Sequence, residues 1–476
     1  MISDISEHSS TPRHVAEGLR DLRDLLGADG LREDPETLAR FGVDRSPGHL
    51  PAPRAVALPR DTDQVLAIVR IAREHRLPLV PSGGRTGLCG GAVAAQHEVV
   101  VSMQRMDRVL GFDPVDRAVT VQAGVITAEL QAFAARQGLF YPVDFASAGS
   151  SQIGGNIATN AGGIRVIRHG MSRQQVLGLV VVDGRGERLD LNRGLLKNNT
   201  GPDLQQLFIG SEGVLGIITE ATLRLQPAPQ AAAVLLFAIP DLQALLALLE
   251  RFSNTFRINA FEFFSDKALE YVTSRFDRAA PLRRAPFYAL VEVERGDSAT
   301  EERLLAAFEA SAAAGTVLDG VVAHNETQAR ALWQLRESIS ETLAPFTPWK
   351  NDISVRISRL PAFVAAADEL LSRDYPALES VWYGHIGDGN LHINILRPSQ
   401  MDLAAFKSHC EPLARGFGAL LQEFGGSVSA EHGIGLLKRD QLRFSRSEAE
   451  ISALRGLKSL FDPLGILNPG KLLPPD

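Results

Sequence analysis

Three of the chain's eleven histidines fall in two short stretches, Gly384–Asn394 (GHIGDGNLHIN) and Ser429–Gly435 (SAEHGIG). In the first, Val381–Tyr383 and Leu391–Leu396 are strand-forming, the second run alternating apolar and polar. Asp388-Gly389 between them favours a two-residue hairpin turn. With that turn, Gly387 pairs with Asn390, Ile386 with Leu391 and His385 with His392. Both imidazoles then share a face, roughly 4.5–5.5 Å apart at Cβ. A looser loop breaks that pairing and still leaves them close. Two imidazoles so placed can grip one metal ion, and Glu431 in the second stretch supplies a third ligand. Imidazole and carboxylate suit zinc, iron or manganese, and three protein ligands leave a position open for substrate. His432 is then free to act as a base. The competing reading is a polar hairpin with incidental histidines.

Such chemistry needs a partner site. Pro81–Gly91 (PSGGRTGLCGG) holds five glycines and follows the short strand Leu79–Pro81. Glycine lets the backbone turn sharply and aim its N–H groups inward, as an anion nest does. The spacing matches neither a Walker A loop nor GxGxxG, so the expectation is a phosphate cradle of a different design, against the plainer reading of a mobile loop. Asp144–Gly163 (DFASAGSSQIGGNIATNAGG) is almost uncharged and built of small residues. It reads as a segment lying flat against a large buried ligand, with Ser150, Asn156 and Asn160 as neutral hydrogen-bonding groups.

The positioning elements follow from periodicity. In the first half, strands are expected at Ala55–Leu58, Val99–Ser102, Ala118–Ala123 and Val176–Asp183, with helices at Val15–Leu26, Asp61–Arg76 and Thr127–Gln137. Pro227 and Pro229 mark a boundary. Beyond it, strands Val234–Ala238, Ala260–Phe264, Tyr288–Glu294, Val381–Ile386 and Leu391–Leu396 alternate with amphipathic helices, among them Thr327–Leu343 and Asp402–Phe424. The expected class is α+β with a mainly antiparallel second sheet. The divisions are a helical segment 1–50, a cofactor domain 51–229, a cap domain 230–440 and a C-terminal segment 441–476.

With 476 residues the chain can hold two or three sizeable cores. A net charge of −7 gives no bulk support to nucleic-acid binding. Two cysteines, Cys89 and Cys410, make no disulfide framework and fit a reducing cytoplasm. The N-terminus is polar, without an apolar signal core. The most apolar run, Ala231–Leu249, is interrupted by Pro240, Asp241 and Gln243 and reads as strand, turn and helix; no transmembrane segment is expected.

Taken together, PSGGRTG at Pro81, GSSQIGGNIATNAGG at Gly149, GSEGVLGIIT at Gly210, GHIGDGNLHINI at Gly384, SAEHGIG and NPGK at Asn468 resemble, in order, the FAD-linked oxidases with a vanillyl-alcohol-oxidase (PCMH-type) flavin domain. Within that group the chain is similar to the D-2-hydroxyacid dehydrogenase branch, nearest the enzymes of D-2-hydroxyglutarate. The resemblance implies a two-subdomain FAD-binding domain, an α+β cap domain and a C-terminal helical segment returning to the flavin. It implies non-covalent FAD held by Ser82, Gly83, Gly84, Arg85, Thr86, Gly87, Gly149, Ser150, Gly154, Gly155, Asn160, Gly163, Ile217 and Asn468. It assigns His385, His392 and Glu431 as ligands of a divalent metal (zinc first, manganese or iron also suitable) and His432 as catalytic base. Arg336, Ser340, Lys350 and Asn390 match substrate-binding positions. Read alone, Arg336 is an exposed helical cation and Lys350 a strand-edge lysine. Two cationic anchors favour a diacid such as D-2-hydroxyglutarate over D-lactate or glycolate; D-malate, also a diacid, satisfies the same charges and is the alternative. The electron acceptor implied is an electron-transferring flavoprotein or a quinone, and relatives suggest a homodimer. The rivals are a non-redox ether-lipid transferase on the same scaffold, which has no need of the histidine hairpin, and a non-catalytic FAD electron-transfer subunit.

Overall fold

The computed structural model describes residues 12–277, 279–296 and 299–474; residues 1–11 of the expected helical segment lie outside them. Among the described residues, the named strands form sheets of four, five and seven strands and a two-stranded ribbon. In the four-stranded sheet, Ala55–Ala57, Val99–Ser102 and Leu79–Ser82 run parallel. Helix Thr62–His75 begins where Asp61 accepts a hydrogen bond from Gln64 N at 2.9 Å. Its apolar stripe of Val65, Ile68, Val69 and Ala72 is wholly buried in a core shared with the sheet. That packing delivers strand Leu79–Ser82 directly into the first glycine loop. The five-stranded antiparallel sheet, Val109–Asp113, Ala118–Gln122, Gly216–Arg224, Val176–Asp183 and Arg188–Leu191 in spatial order, backs the second glycine-rich segment.

The seven-stranded sheet is antiparallel throughout, ordered Asp319–Val322, Ala232–Ile239, Phe287–Glu294, Ile258–Ser265, Glu379–His385, Asn390–Leu396 and Trp349–Ser354. Side chains alternate across a strand. One face carries Phe261, Phe263, Ile353, Trp382, Leu391, Ile393 and Ile395 into the largest core. Each such side chain, fully buried, is worth about 1.5–3 kcal/mol. The same alternation forces the intervening residues, Glu262, Lys350, Asp352, Tyr383, His385, His392 and Asn394, onto the other face. Part of that face is apolar too, where Phe264, Leu290, Val381 and Tyr383 join a second core, and the polar groups cluster beside it.

Two local expectations are corrected. The hairpin pairs Gly384 with Leu391 and His385 with Asn390, so His392 faces Tyr383 and not His385. The turn runs over Ile386–Gly389: Asp388 N donates to His385 O at 3.2 Å and Gly387 N to Phe261 O at 3.2 Å. The turn packs closely on its surroundings, so tertiary contact overrides the preference of Asp-Gly for a two-residue turn. His385 and His392 still share a face, because the register differs from the expected one by two residues. The expected helix Thr327–Leu343 is two, Glu326–Glu337 and Ile339–Leu343, with Ser338 (φ −77°, ψ −8°) between them. Strand Trp349–Ser354, edge strand Val109–Asp113 and helix Asp266–Phe276 are additional elements.

The last helix, Glu448–Phe461, opens on a capping box between Ser447 and Glu450. It returns to the first half of the chain, where Phe461 packs edge-on to Phe208 at 5.0 Å. Beyond it, Leu79 N donates to Ile466 O and Asn468 N to Leu79 O, each at 2.7 Å. Among the described residues, no helix is long and apolar enough to cross a membrane.

Candidate active site

The polar face of the large sheet looks into a cavity of about 990 Å³ whose other walls are the two glycine-rich segments. His385 and His392 are buried, with ring centroids 5.4 Å apart. Glu431 Oε1 lies 3.9 Å from the Nε2 atoms of His385, His392 and His432 alike. Two donors on one ion with bonds of about 2.1 Å can stand at most roughly 4.2 Å apart. The carboxylate is therefore within reach of an ion shared with either histidine of the hairpin, and His385, His392 and Glu431 form one compact donor group.

Behind these groups stand carboxylates that the motifs did not single out. Glu262 Oε1 meets His385 Nδ1 at 2.7 Å, and its Oε2 pairs with Arg336 Nη2 at 2.8 Å. Burial disfavours the charge of Glu262, but His385 and Arg336 outweigh that and hold its pKa below the ordinary value. For His385, burial works towards the neutral ring, and Glu262 reverses this and lifts the pKa to about 9. Nδ1 of His385 is thereby occupied and Nε2 is left to face Glu431, the arrangement expected of an oriented ligand. Asp352 Oδ2 accepts the N–H groups of Glu431 and His432 at 3.0 and 2.9 Å, and Oδ1 accepts from Asn390 Nδ2 at 2.9 Å. Its Oδ2 also lies 3.5 Å from His432 Nδ1. Burial of His392 holds its pKa well below the ordinary histidine value.

Arg336 is buried, unlike an ordinary helical cation. Its guanidinium lies 4.8 Å from the centre of the Tyr383 ring. Its Nε meets no protein partner among the described residues while the side chain lines the cavity. Lys350 sits on edge strand Trp349–Ser354 with Nζ 3.3 Å from Ser340 Oγ; both residues are exposed and both line the cavity. Desolvation lowers the Lys350 pKa.

The opposite wall fits a large anionic cofactor. Ser82, Gly83, Gly84, Arg85, Thr86, Gly87, Gly154, Gly155, Gly163 and Ile217 line it. Arg85 takes a left-handed φ of 55°, and the N–H groups of Gly84 through Gly87 meet no protein acceptor among the described residues. A run of free N–H groups around one left-handed residue is an anion nest. Ser82 Oγ and Gln152 Oε1, buried on the same wall, also lack protein partners. Orphaned polar atoms beside an open cavity are what a hydrogen-bonding cofactor satisfies. A Cβ on Gly84 would run into the carbonyl of Ser150, and one on Gly163 into that of Asp144. Gly84→Ala should therefore displace the nest, and the purified protein should carry far less flavin, read from its visible absorbance.

The remaining expected positions lie off the cavity wall. Gly149, Ser150, Asn160, Asn390 and Asn468 do not line the cavity. Asn160 accepts from Arg173 N at 3.0 Å, and Asn468 donates to the carbonyls of Gly91 and Glu212 at 3.0 and 2.6 Å. These amides brace the segments that do line it.

The chain matches an FAD linked oxidase C-terminal domain over residues 228–472 and an FAD binding domain over residues 53–192. It is 50% identical over 453 residues to D-2-hydroxyglutarate dehydrogenase of Stutzerimonas stutzeri (strain A1501), covering 95% of this chain and 98% of that protein. To the mitochondrial D-2-hydroxyglutarate dehydrogenase of Bos taurus it is 37% identical, covering 93% and 80%. Among solved structures, p-cresol methylhydroxylase superposes with a TM-score of 0.78 at 16% identity, covering 98% of each chain. Alkyldihydroxyacetonephosphate synthase superposes at 0.72 and 19% identity, covering 97% and 87%. At those identities the two structures speak for the fold alone. With the family models spanning both halves and relatives matched nearly end to end, the chain belongs to the FAD-linked oxidases and is an FAD-dependent dehydrogenase.

Proposed function

We propose that this dehydrogenase oxidises D-2-hydroxyglutarate to 2-oxoglutarate. The observation that carries the reading is one cavity lined by a three-donor metal group, a buried arginine with an unpartnered Nε, a lysine at its edge and a glycine cradle opposite. The names of the most similar relatives support the same substrate. When bound, FAD would supply the hydride acceptor, and a divalent ion, which His385, His392 and Glu431 would hold, would supply a Lewis acid.

The chain's own residues do the rest. His432 Nε2 takes the hydroxyl proton, a task suited to imidazole. Asp352, on the Nδ1 side, holds the ring in place. Glu262 fixes Arg336 through Nη2, leaving Nε for a carboxylate oxygen. Lys350 and Ser340 receive the distal carboxylate, which a monoacid lacks. The electrons then pass to an electron-transferring flavoprotein or a quinone.

The test is an anaerobic titration of the flavin-loaded protein with D-2-hydroxyglutarate, D-malate and D-lactate, following loss of flavin absorbance. Rapid bleaching by D-2-hydroxyglutarate and little by D-lactate is expected. Preference for D-lactate would move the chain to a monoacid substrate and leave Lys350 without a role. If none of the three bleaches the flavin, the hydroxyacid reading fails.

The metal half has its own signature. A metal-free protein holds an extra proton on His385 up to a pKa of about 9, and an ion on Nε2 must displace it. The affinity for Zn²⁺, read by chelator competition, should therefore climb roughly tenfold per pH unit on the acid side of that pKa and level off above it. A flat profile would remove His385 as a ligand.

A further inference from the structure

The turn that carries Glu431 and His432 is not held by the cap domain alone. Asp352 takes the N–H groups of Glu431 and His432. The next grip comes from the FAD-binding half. Glu212 Oε1 accepts from Ile434 N and Oε2 from Gly435 N, each at 2.7 Å. Cys89 O then accepts from Leu436 N at 2.8 Å and Leu437 N at 3.1 Å. Between the two sets of grips lies Gly433 in a left-handed conformation, φ 80°. Four consecutive N–H groups of one segment thus end on acceptors more than two hundred residues earlier in the chain.

Glu212 is itself firmly seated. It is buried, its N–H donates to Ala158 O at 2.8 Å, and its carbonyl accepts from Asn468 Nδ2 at 2.6 Å. Its φ of 52° is left-handed, a conformation that a side chain with a Cβ adopts at a cost. Asn or Gly would suit that backbone better, so the side chain is what the position requires. A carboxylate is also the only group of this length with two acceptors and no donor. Two converging N–H groups need both.

We infer that Glu212 is a positioning residue, whose carboxylate holds the Glu431–His432 turn in register with the FAD-binding half. The inference rests on the reading of Glu431 as a ligand and His432 as the base. Glu212 lines the same cavity as the nest, but its carboxylate bonds to Ile434 and Gly435 and to none of Gly84–Gly87, so removing one acceptor should loosen the turn without emptying the cradle. Gln at this position keeps the shape and turns an –NH₂ against a backbone N–H, leaving one buried donor unpaired.

The experiment uses full-length Glu212→Gln. We expect wild-type flavin content, Zn²⁺ affinity weaker by about 10–100-fold, and kcat for D-2-hydroxyglutarate at saturating Zn²⁺ lower by a similar factor, with KM little changed. Amide exchange at Ile434–Leu437 should quicken while Gly84–Gly87 peptides stay as in wild type. Wild-type Zn²⁺ affinity and kcat with flavin retained would overturn the inference. So would activity lost with the flavin and fully restored by added FAD, which would make Glu212 a cofactor ligand. Should the variant fail to fold, amide exchange in the wild type decides: strong protection of Ile434 and Gly435 together supports the clamp, and fast exchange at either overturns it. If wild-type protein leaves D-2-hydroxyglutarate untouched, the substrate assignment fails while the Zn²⁺ and exchange readouts still report on Glu212.

Discussion

His432→Ala is expected to lower kcat by about 10²–10⁴-fold while the protein still purifies with flavin. The size follows from the role: without a positioned base, the hydroxyl proton must leave to solvent as hydride departs. The retained flavin follows from geometry. His432 Nε2 is 3.9 Å from Glu431 and its ring stacks on His392 at 6.0 Å, so the side chain belongs to the sheet face. The nest on the opposite wall does not depend on it. The same variant should bind Zn²⁺ with little change, because His385, His392 and Glu431 form a complete donor group without it. This separates base from ligand. Loss of turnover with wild-type Zn²⁺ affinity supports the base; parallel loss of both would make His432 a ligand; retained turnover would remove it from the chemistry. Treating the wild type with a chelator should give the complementary result: turnover stops and the flavin colour remains.

Much of this site was legible in the sequence because its chemistry is concentrated in short stretches. The alternation Leu391-His392-Ile393-Asn394-Ile395 marks one apolar and one polar face, and the sheet has both. The five glycines of Pro81–Gly91 announce an unusual backbone, and Arg85 is indeed left-handed there. What escaped notice are the roles of two single acids, Glu262 in an ordinary strand and Glu212 inside the GSEGVLGIIT motif. Glu262 sits in Ala260-Phe261-Glu262-Phe263-Phe264, where it reads as a strand residue turned to solvent. Its partner His385 is 123 residues away. Glu212 lies 222 residues from Ile434. A lone carboxylate acquires meaning only when folding brings its partners, and no local period records them. The hairpin register escaped for a related reason. Asp-Gly states a local preference, but the turn is set by Phe261 and its neighbours on other segments. Arg336 shows the same limit in reverse: a cation on a helix end reads as exposed until Glu262 and Tyr383 are seen beneath it.

Glu262→Ala should be the most damaging single change on the sheet face. Glu262 is buried and offsets two groups at once, the Arg336 guanidinium and the His385 ring. Removing one partner of a buried ion pair typically costs about 3–5 kcal/mol, because the other charge stays behind uncompensated. In a domain of a few hundred residues that is on the order of 10 °C in melting temperature. His385 escapes part of the cost by losing its proton; Arg336 cannot. The sign of the pH dependence tests this account. Glu262 has a depressed pKa, so its contribution is in place above its ordinary value of 4.5 and fades as pH falls through the folded value. His385 has a raised pKa, so in the metal-free protein its contribution is in place below 6.5 and fades as pH rises through about 9. Metal-free wild type should therefore be most stable between those limits, and Glu262→Ala should flatten both flanks. Glu262→Gln separates charge from contact. It can still accept from His385 Nδ1 but no longer neutralises Arg336, so melting should fall less than in the Ala variant. Its KM for D-2-hydroxyglutarate should rise, because an Arg336 no longer fixed by a carboxylate presents Nε to the substrate less faithfully. If both variants melt and turn over like the wild type, the buried pair is incidental to the site, and the orientation of Arg336 and His385 must come from packing against Tyr383 and the hairpin alone.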